Sequence, residues 1–367
     1  MNKLVYLGKR IALAIPVVLF GLTMAFLILY AGPLDPVYSI LGRKASEADI
    51  QRLLVDLGYR YPNGQEVPLW DQYRMVMTDL FTLNFGQSWV VQRGRPIIDL
   101  IGARMSATIW LGWWSVVIAL FVGIPVGLFA GLRANTFSDY FASAGGILWR
   151  AMPNFWLAVI LSGLLSAGGA LSFYRDWGAD YGLATKVVGT PPEVNNLFNV
   201  IPLFDGIPVL EMLFLPIPEL QNMAVAFKWI LPGALVLGSA SMGNEVRIAR
   251  TAVLESINSK YVETARAKGV SARRIVFKHV GRNALIPLLP IIMGEFYLLI
   301  GGSVLVEAIF GINGLGSLYL RAIFQTDIPV IMTLTFIFTI ILVVFNITQD
   351  LLYTIVDPRI SLDDVEG

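Results

Sequence analysis

Apolar and polar stretches alternate along the chain in a pattern that predicts six helices. Runs of mostly apolar residues lie at 11–31, 107–131, 145–168, 226–243, 288–310 and 329–353. A bilayer crossing takes about 20 such residues. Lipid leaves open backbone groups unsatisfied, so each run predicts a membrane-spanning helix. The fourth is the shortest and holds Pro232, Gly233 and Gly238. The first follows Lys3, Lys9 and Arg10. It is longer than the roughly 7–15-residue core of a secretory signal, and no clear small-x-small site ends it, so it reads as a retained helix. Between the runs, SEADIQRLLVDLGY (46–59) places Ser46 before Ile50, Leu53, Leu54 and Leu57 at helical spacing, which predicts a capped helix. PLWDQYRMVMTDLFTLNFGQSW (68–89) predicts another, ending near Gly86. Segment 169–225, with TPPEVNN and LPIPEL, is rich in Pro, Gly and Asn and reads as a lid, a docking surface or a connector.

Composition agrees with the pattern. The 367 residues are 56% hydrophobic and 14% charged, against about 25% charged in a soluble domain. The absence of cysteine excludes thiol catalysis, disulfides and zinc–thiolate sites, and the single His279 excludes a multi-histidine metal site.

An even number of spans puts both termini on one side, and charge says which. Segment 244–287 holds nine of the 27 Lys and Arg residues against three acids, whereas 32–105 carries eight of each sign and 169–225 two bases against six acids. Positive residues stay in the cytoplasm. The expected fold is therefore an all-α integral membrane protein with six transmembrane helices and both termini cytoplasmic. Its parts are an N-terminal segment and first helix (1–31), an external loop with short helices (32–106), and a core of five helices (107–367) with an external insert (169–225) and a basic cytoplasmic loop (244–287).

That basic loop has its own pattern. Ile257, Tyr261 and Ala265 share one face of a helix predicted over 256–268, and Ala265 and Ala267 are small enough to admit a partner's backbone. Gly269 permits a sharp turn without a Cβ penalty. Ser271 is placed to cap a second helix running to about 285, and Pro287 marks the return to the membrane. Helix, glycine turn and helix form a rigid protrusion suited to a groove on a soluble partner. Charge alone is equally accounted for by a topology signal that touches anionic headgroups.

Glu263-Thr264-Ala265, Gly269 and Asn283-Ala284-Leu285-Ile286-Pro287 resemble the EAA-type cytoplasmic loop of ABC-importer permeases, and YVETARAKGVSARRIVFKHVGRNALIP resembles most the dipeptide/oligopeptide/nickel branch. LGKRIALAIPVVLFGLTMAFLILYAGPLDPV (7–37), PLWDQY with NFGQSW, VEAIFGINGLGSLYLRAIFQTDIPV (306–330) and DLLYTIVDPRI (350–360) resemble other blocks of that family, in its order. Thr264 departs from the pattern's alanine, and 169–225 is longer than expected.

The resemblance implies a type I importer permease that forms half a translocation pore for peptides or, alternatively, nickel chelates or oligosaccharides. It implies a second homologous permease in a heterodimer, two ATPase subunits that hold ATP and Mg, and an extracytoplasmic solute-binding protein, all at a prokaryotic cell membrane. It gives no place to nucleic acid. Tyr261, Glu263, Thr264, Ala265, Lys268, Gly269, Arg273, Asn283 and Pro287 would form the ATPase-coupling loop. Within it, Glu263 would pair with Arg266 or a partner's base, Ala265 would allow close packing and Gly269 would make the turn. The chain has no G-x-x-x-x-G-K-[ST] stretch to bind ATP itself.

Glu295, Glu307 and Asn346 are candidates for a pathway or gate, because polar groups inside a bilayer are costly and tend to face a cavity or partner. Glu295 also fits the interface, Glu307 a contact with the Gly-rich turn that follows it, and Asn346 a bond between helices. Trp110, Trp113 and Trp114 read as an aromatic belt. A stand-alone secondary transporter needs deep carboxylates or repeated interrupted helices, and neither is clear. A membrane enzyme lacks an acid–base or metal cluster. An exporter does not fit the importer-type loop.

Overall fold

The computed structural model describes residues 3–32, 36–42, 45–177, 198–202, 214–218, 220–288, 294 and 303–356. The apolar runs are helical where they are described, but their ends differ from hydropathy alone. Among the described residues, four helices are long and apolar enough to cross a membrane, and the number rises to six if each of two bent pairs is one span. The chain divides into two compact units, 1–104 with 318–367, and 105–317.

In the first unit, α1 (Lys3–Tyr30) is followed by the short helices α2 (Pro36–Leu41), α3 (Glu47–Asp56) and α4 (Leu69–Phe81) and by the start of α5 (Ile97–Leu132). Ser46 caps α3 as its sequence predicts, its Oγ accepting from the Asp49 N–H at 3.2 Å. α4 stops at Phe81 and the chain turns through Leu83 and Gly86, both at positive φ. α1 lies along the last described helix, Ile328–Val356. Arg10 Nε and Asp350 Oδ2 are 3.1 Å apart, and the Thr23 and Tyr73 hydroxyls are 2.9 Å apart.

In the second unit, α5 runs through a π turn at Ala119–Gly123. The run near 145–168 is two helices, α6 (Phe137–Ala151) and α7 (Asn154–Leu165), bent by 96° where Pro153 interrupts the backbone ladder. After α8 (Ser172–Asp176) comes an antiparallel ribbon in the insert, β1 (Phe198–Pro202) on β2 (Phe214–Pro218) with Val200 opposite Pro216.

The fourth run is not short. α9 (Leu220–Ile257) has 38 residues and carries Pro232 inside it. Its glycines are contact points, not breaks. A Cβ on Gly238 would lie 2.4 Å from the Ser115 carbonyl oxygen, and one on Gly233 would lie 3.2 Å from both Ile312 and Leu111. The core of this unit gathers around Trp229, Ile230 and Ala234 of α9, with Leu111, Leu157 and Phe310. Trp110 and Trp114 pack against that core, edge to face at 5.6 Å, so only the half-exposed Trp113 remains for an aromatic belt. The chain continues through α10 (Lys260–Ala267), α11 (272–284), α12 (Ser303–Phe310), α13 (Leu315–Gln325) and α14 (Ile328–Val356). Of the predicted fifth run, 289–293 and 295–302, with Glu295, lie outside the described residues.

Candidate coupling site and buried polar contacts

The basic loop folds as a helical hairpin on the end of α9. α9 ends at Ile257, and Ser259, in extended conformation, starts α10 afresh. The restart changes the helical phase. Val262 and Ala265 point inward, whereas Tyr261 is 43% exposed, so the expected face of Ile257, Tyr261 and Ala265 on one continuous helix does not form. Ala265 packs within its own chain, in a buried cluster with Ala252, Val253, Val262, Ile275, Val280 and Ala284. Its small side chain lets α11 and α9 approach α10, which replaces the expected role against a partner.

Gly269 closes the turn. Its φ is +73°. Its N–H donates to the Arg266 carbonyl at 2.9 Å and the Val270 N–H to the Ala265 carbonyl at 3.1 Å. These are the paired bonds of a Schellman motif, completed by Val270 packing on the same cluster. Ser271 precedes α11 but makes no side-chain capping bond. α11 runs through a π turn at Ile275–Gly281 and ends at Ala284, and Pro287 lies in the following 3-10 turn. Thr264 Oγ1 bonds the Lys260 carbonyl at 2.9 Å and Asn283 Nδ2 the His279 carbonyl at 2.8 Å, so both side chains serve their own helices.

The outer surface is polar and basic with one large apolar tip. Glu263, Thr264, Lys268, Arg273, Arg274 and Lys278 are exposed, and Phe277 is 74% exposed. Among the described residues Glu263 makes no ion pair, so the expected pairing with Arg266 does not form. Its carboxylate sits in the first turn of α10, where it complements the helix dipole.

The hairpin is joined to the spans by close packing. Gly123, Gly127 and Gly131 form a stripe along α5 against α9. A Cβ on Gly127 would lie 2.6 Å from the Val246 carbonyl oxygen and 2.7 Å from Ala249 Cβ, and one on Gly131 would lie 2.7 Å from Val253 Cβ. The buried Glu245 packs on Gly123. Asp139 of α6 is 1% exposed and takes Arg250 of α9 in a two-pronged pair at 2.5 and 2.8 Å, with the Asn135 N–H at 2.9 Å on the same carboxylate.

Glu307 is fully buried, and its geometry is structural. Oε1 accepts from the Thr108 hydroxyl and Oε2 from the Ser317 N–H, both at 2.8 Å, while Thr108 Oγ1 accepts from the Leu315 N–H at 2.7 Å. The glycine turn wraps the carboxylate so tightly that a Cβ on Gly314 would lie 2.5 Å from Oε2. Asn346 is exposed on α14 and, among the described residues, bonds to no other helix of its own chain.

Three buried polar groups stand out among those that their sequence context did not single out. Asp139 with Arg250 is one. Lys228 is another, its Nζ donating to the carbonyls of Arg175, at 3.0 Å, and Trp177 beyond α8. The third is Asp327, completely buried before α14. Its Oδ2 accepts from Ser88 Oγ at 2.6 Å and from the N–H groups of Val90 and Val91 at 3.0 and 2.9 Å, and its Oδ1 accepts from the Trp89 N–H at 3.1 Å.

Comparison with known proteins places the chain. Residues 123–362 match the family described as the binding-protein-dependent transport system inner membrane component. The oligopeptide transport system permease protein AppB of Bacillus subtilis is 34% identical over 97% of this chain and 99% of its own length. The dipeptide transport system permease proteins DppB of Alkalihalophilus pseudofirmus and Escherichia coli are 31% and 27% identical, over 98% and 97% of this chain and 99% and 98% of theirs. With the helical membrane fold and a match across 123–362, the chain belongs to the family of inner-membrane permease components of binding-protein-dependent transport systems.

Proposed function

We propose that this protein is the membrane-spanning subunit of an ATP-driven importer of peptides, in the inner membrane of a prokaryote, and that the hairpin 260–284 couples it to separate ATPase subunits. One observation carries the reading. The hairpin's underside is cemented to α9 by buried apolar side chains, while its outer face offers Glu263, Lys268, Arg273 and Phe277 to a partner. A partner that moves the hairpin therefore moves α9, and through the glycine stripe α5, as one body. The coupling comes from contacts that differ between two states of the assembly.

ATP and Mg belong to the ATPases. A second permease completes the pore, and an external solute-binding protein delivers the solute. The pairing of Arg10 with Asp350 brings the first turns of α1 beside the last turns of α14, which supports both termini on one side. The basic 244–287 supports that side being cytoplasmic. The relatives named above belong to oligopeptide and dipeptide systems, which favours peptides over nickel chelates or oligosaccharides as cargo.

Gly269 gives the test. A Cβ there meets open space, so the only penalty is backbone conformation. A left-handed residue other than glycine costs about 1–2 kcal/mol, and a β-branched one is more strained. Gly269→Val should leave the protein inserted at normal levels and reduce ATP-dependent uptake of labelled peptide by an order of magnitude or more. Full uptake by Gly269→Val would refute the coupling role.

A further inference from the structure

The first unit holds a cavity of about 330 Å³ that the transport reading does not use. That volume is at the small end of ligand sites, which run roughly 300–1,000 Å³. The residues that line it include the aromatic Tyr30, Phe85 and Trp89, the acidic Asp56 and Asp79, and Gln72, and among the described residues none that lines it is basic. Tyr30 stacks on Tyr59 at 5.7 Å, and Tyr59 meets Trp89 edge on at 6.4 Å, so the aromatic wall is braced from behind.

The two charged groups among the lining residues, Asp56 and Asp79, are both acceptors. Gln72 is nine-tenths buried, and its Nε2 donates to the Val67 carbonyl at 2.8 Å. That bond orients the amide and leaves Oε1 as its acceptor; among the described residues nothing donates to it. Asn84 Nδ2 reaches Asp79 Oδ1 only at 3.4 Å, which leaves most of that carboxylate's capacity open. The frame is fixed in advance, since the Trp89 N–H is held by the buried Asp327.

We propose that this cavity binds a small organic cation bearing a primary ammonium group. The ammonium would donate to Asp79, Asp56 and Gln72, and its carbon skeleton would lie on the aromatic wall. Ring faces attract such a cation as well as its apolar part, and an ammonium has three donors and no acceptor. An anion meets two carboxylates and no positive charge among the residues that line the cavity. The inference does not depend on coupling to an ATPase, so it stands or falls separately from the proposed function.

The test is calorimetric titration of the full chain in lipid nanodiscs with 2-phenylethylammonium, and in parallel with the near-isosteric 2-phenylethanol. The expected Kd for the amine is about 1 mM or tighter, with the alcohol at least about tenfold weaker because it lacks the charge. Asp56→Asn with Asp79→Asn should erase the preference for the amine. Both carboxylates are exposed, so the pair should insert and melt as the parent does. If the double variant is lost, Asp79→Asn alone should weaken the amine severalfold. No heat from the amine, equal binding of amine and alcohol, or carboxylate variants with undiminished affinity would overturn the proposal.

Discussion

Gly127→Val should nearly abolish accumulation of the folded protein in the membrane. The added Cβ alone would stand 2.6 Å from the Val246 carbonyl oxygen and 2.8 Å from Val246 Cα. These are backbone atoms of α9, so no side-chain rotation relieves the contact, and α5 and α9 must separate. Helices in lipid associate through close van der Waals packing at small residues, with little help from hydrophobic exclusion. Overpacking a close contact costs about 1–3 kcal/mol and sometimes more, and here the same contact lies between Gly123 and Gly131, whose neighbours would be pulled apart with it. Gly21→Val is the matched control, because among the described residues nothing beyond its own stretch of helix backbone lies within 4 Å of its added Cβ. Membrane abundance and detergent melting of the two variants should differ sharply. Equal levels would show that the stripe does not hold the helices.

Asp327→Ala should release the segment that follows Gln87. The carboxylate accepts from one hydroxyl and three backbone N–H groups in succession. Removing it leaves all four donors without their acceptor in a largely buried place. Hydrogen bonds to a charged group contribute about 1.5–3 kcal/mol each, and not additively, so a loss of several kcal/mol in holding this segment is expected. Ser88 Oγ also accepts from the Gln92 N–H at 2.9 Å, which makes the hydroxyl part of the same lattice. Asp327→Asn should fall between, since its amide keeps one acceptor and turns a donor toward donors. Limited proteolysis reports the result directly. The Asp327→Ala chain should be cut within 88–92 at protease levels the parent survives, and unchanged resistance would contradict the assignment.

How much of this was legible depends on whether a signal is local. The Gly269 turn was readable because a glycine after a short helix, with apolar residues on both sides, makes few other structures. The Ser46 cap was readable for the same reason. Span ends were not. Hydropathy measures composition, whereas a helix continues as long as its backbone ladder does, so α9 runs on through Glu245, Arg247 and Arg250 to Ile257. The glycine stripe was in view as Gly123-x-x-x-Gly127-x-x-x-Gly131, and the small-xxx-small signature would have found it. Asp327 carries half of its meaning in sequence, because an Asp before Ile328-Pro329 is a helix-start signal. Its donors lie 236–239 residues away, where local pattern has no reach. Asp139 and Arg250, 111 residues apart, fail in the same way. The inward turn of Ala265 was missed because Ser259 resets the helical phase, which a continuous period of 3.6 does not anticipate.

The most direct measurement of the central claim uses the absence of cysteine from the chain. A single cysteine at Lys268, exposed on the hairpin's outer face, can be tagged with a maleimide photo-crosslinker in native membranes, with Ser166→Cys, exposed in the turn after α7, as the control. The account predicts that Lys268→Cys attaches a polypeptide carrying a phosphate-binding P-loop, identified by mass spectrometry, and that Ser166→Cys does not. Capture of only lipid or solvent products at Lys268, or the same ATPase yield from both positions, would contradict it and reduce the basic hairpin to a topology signal.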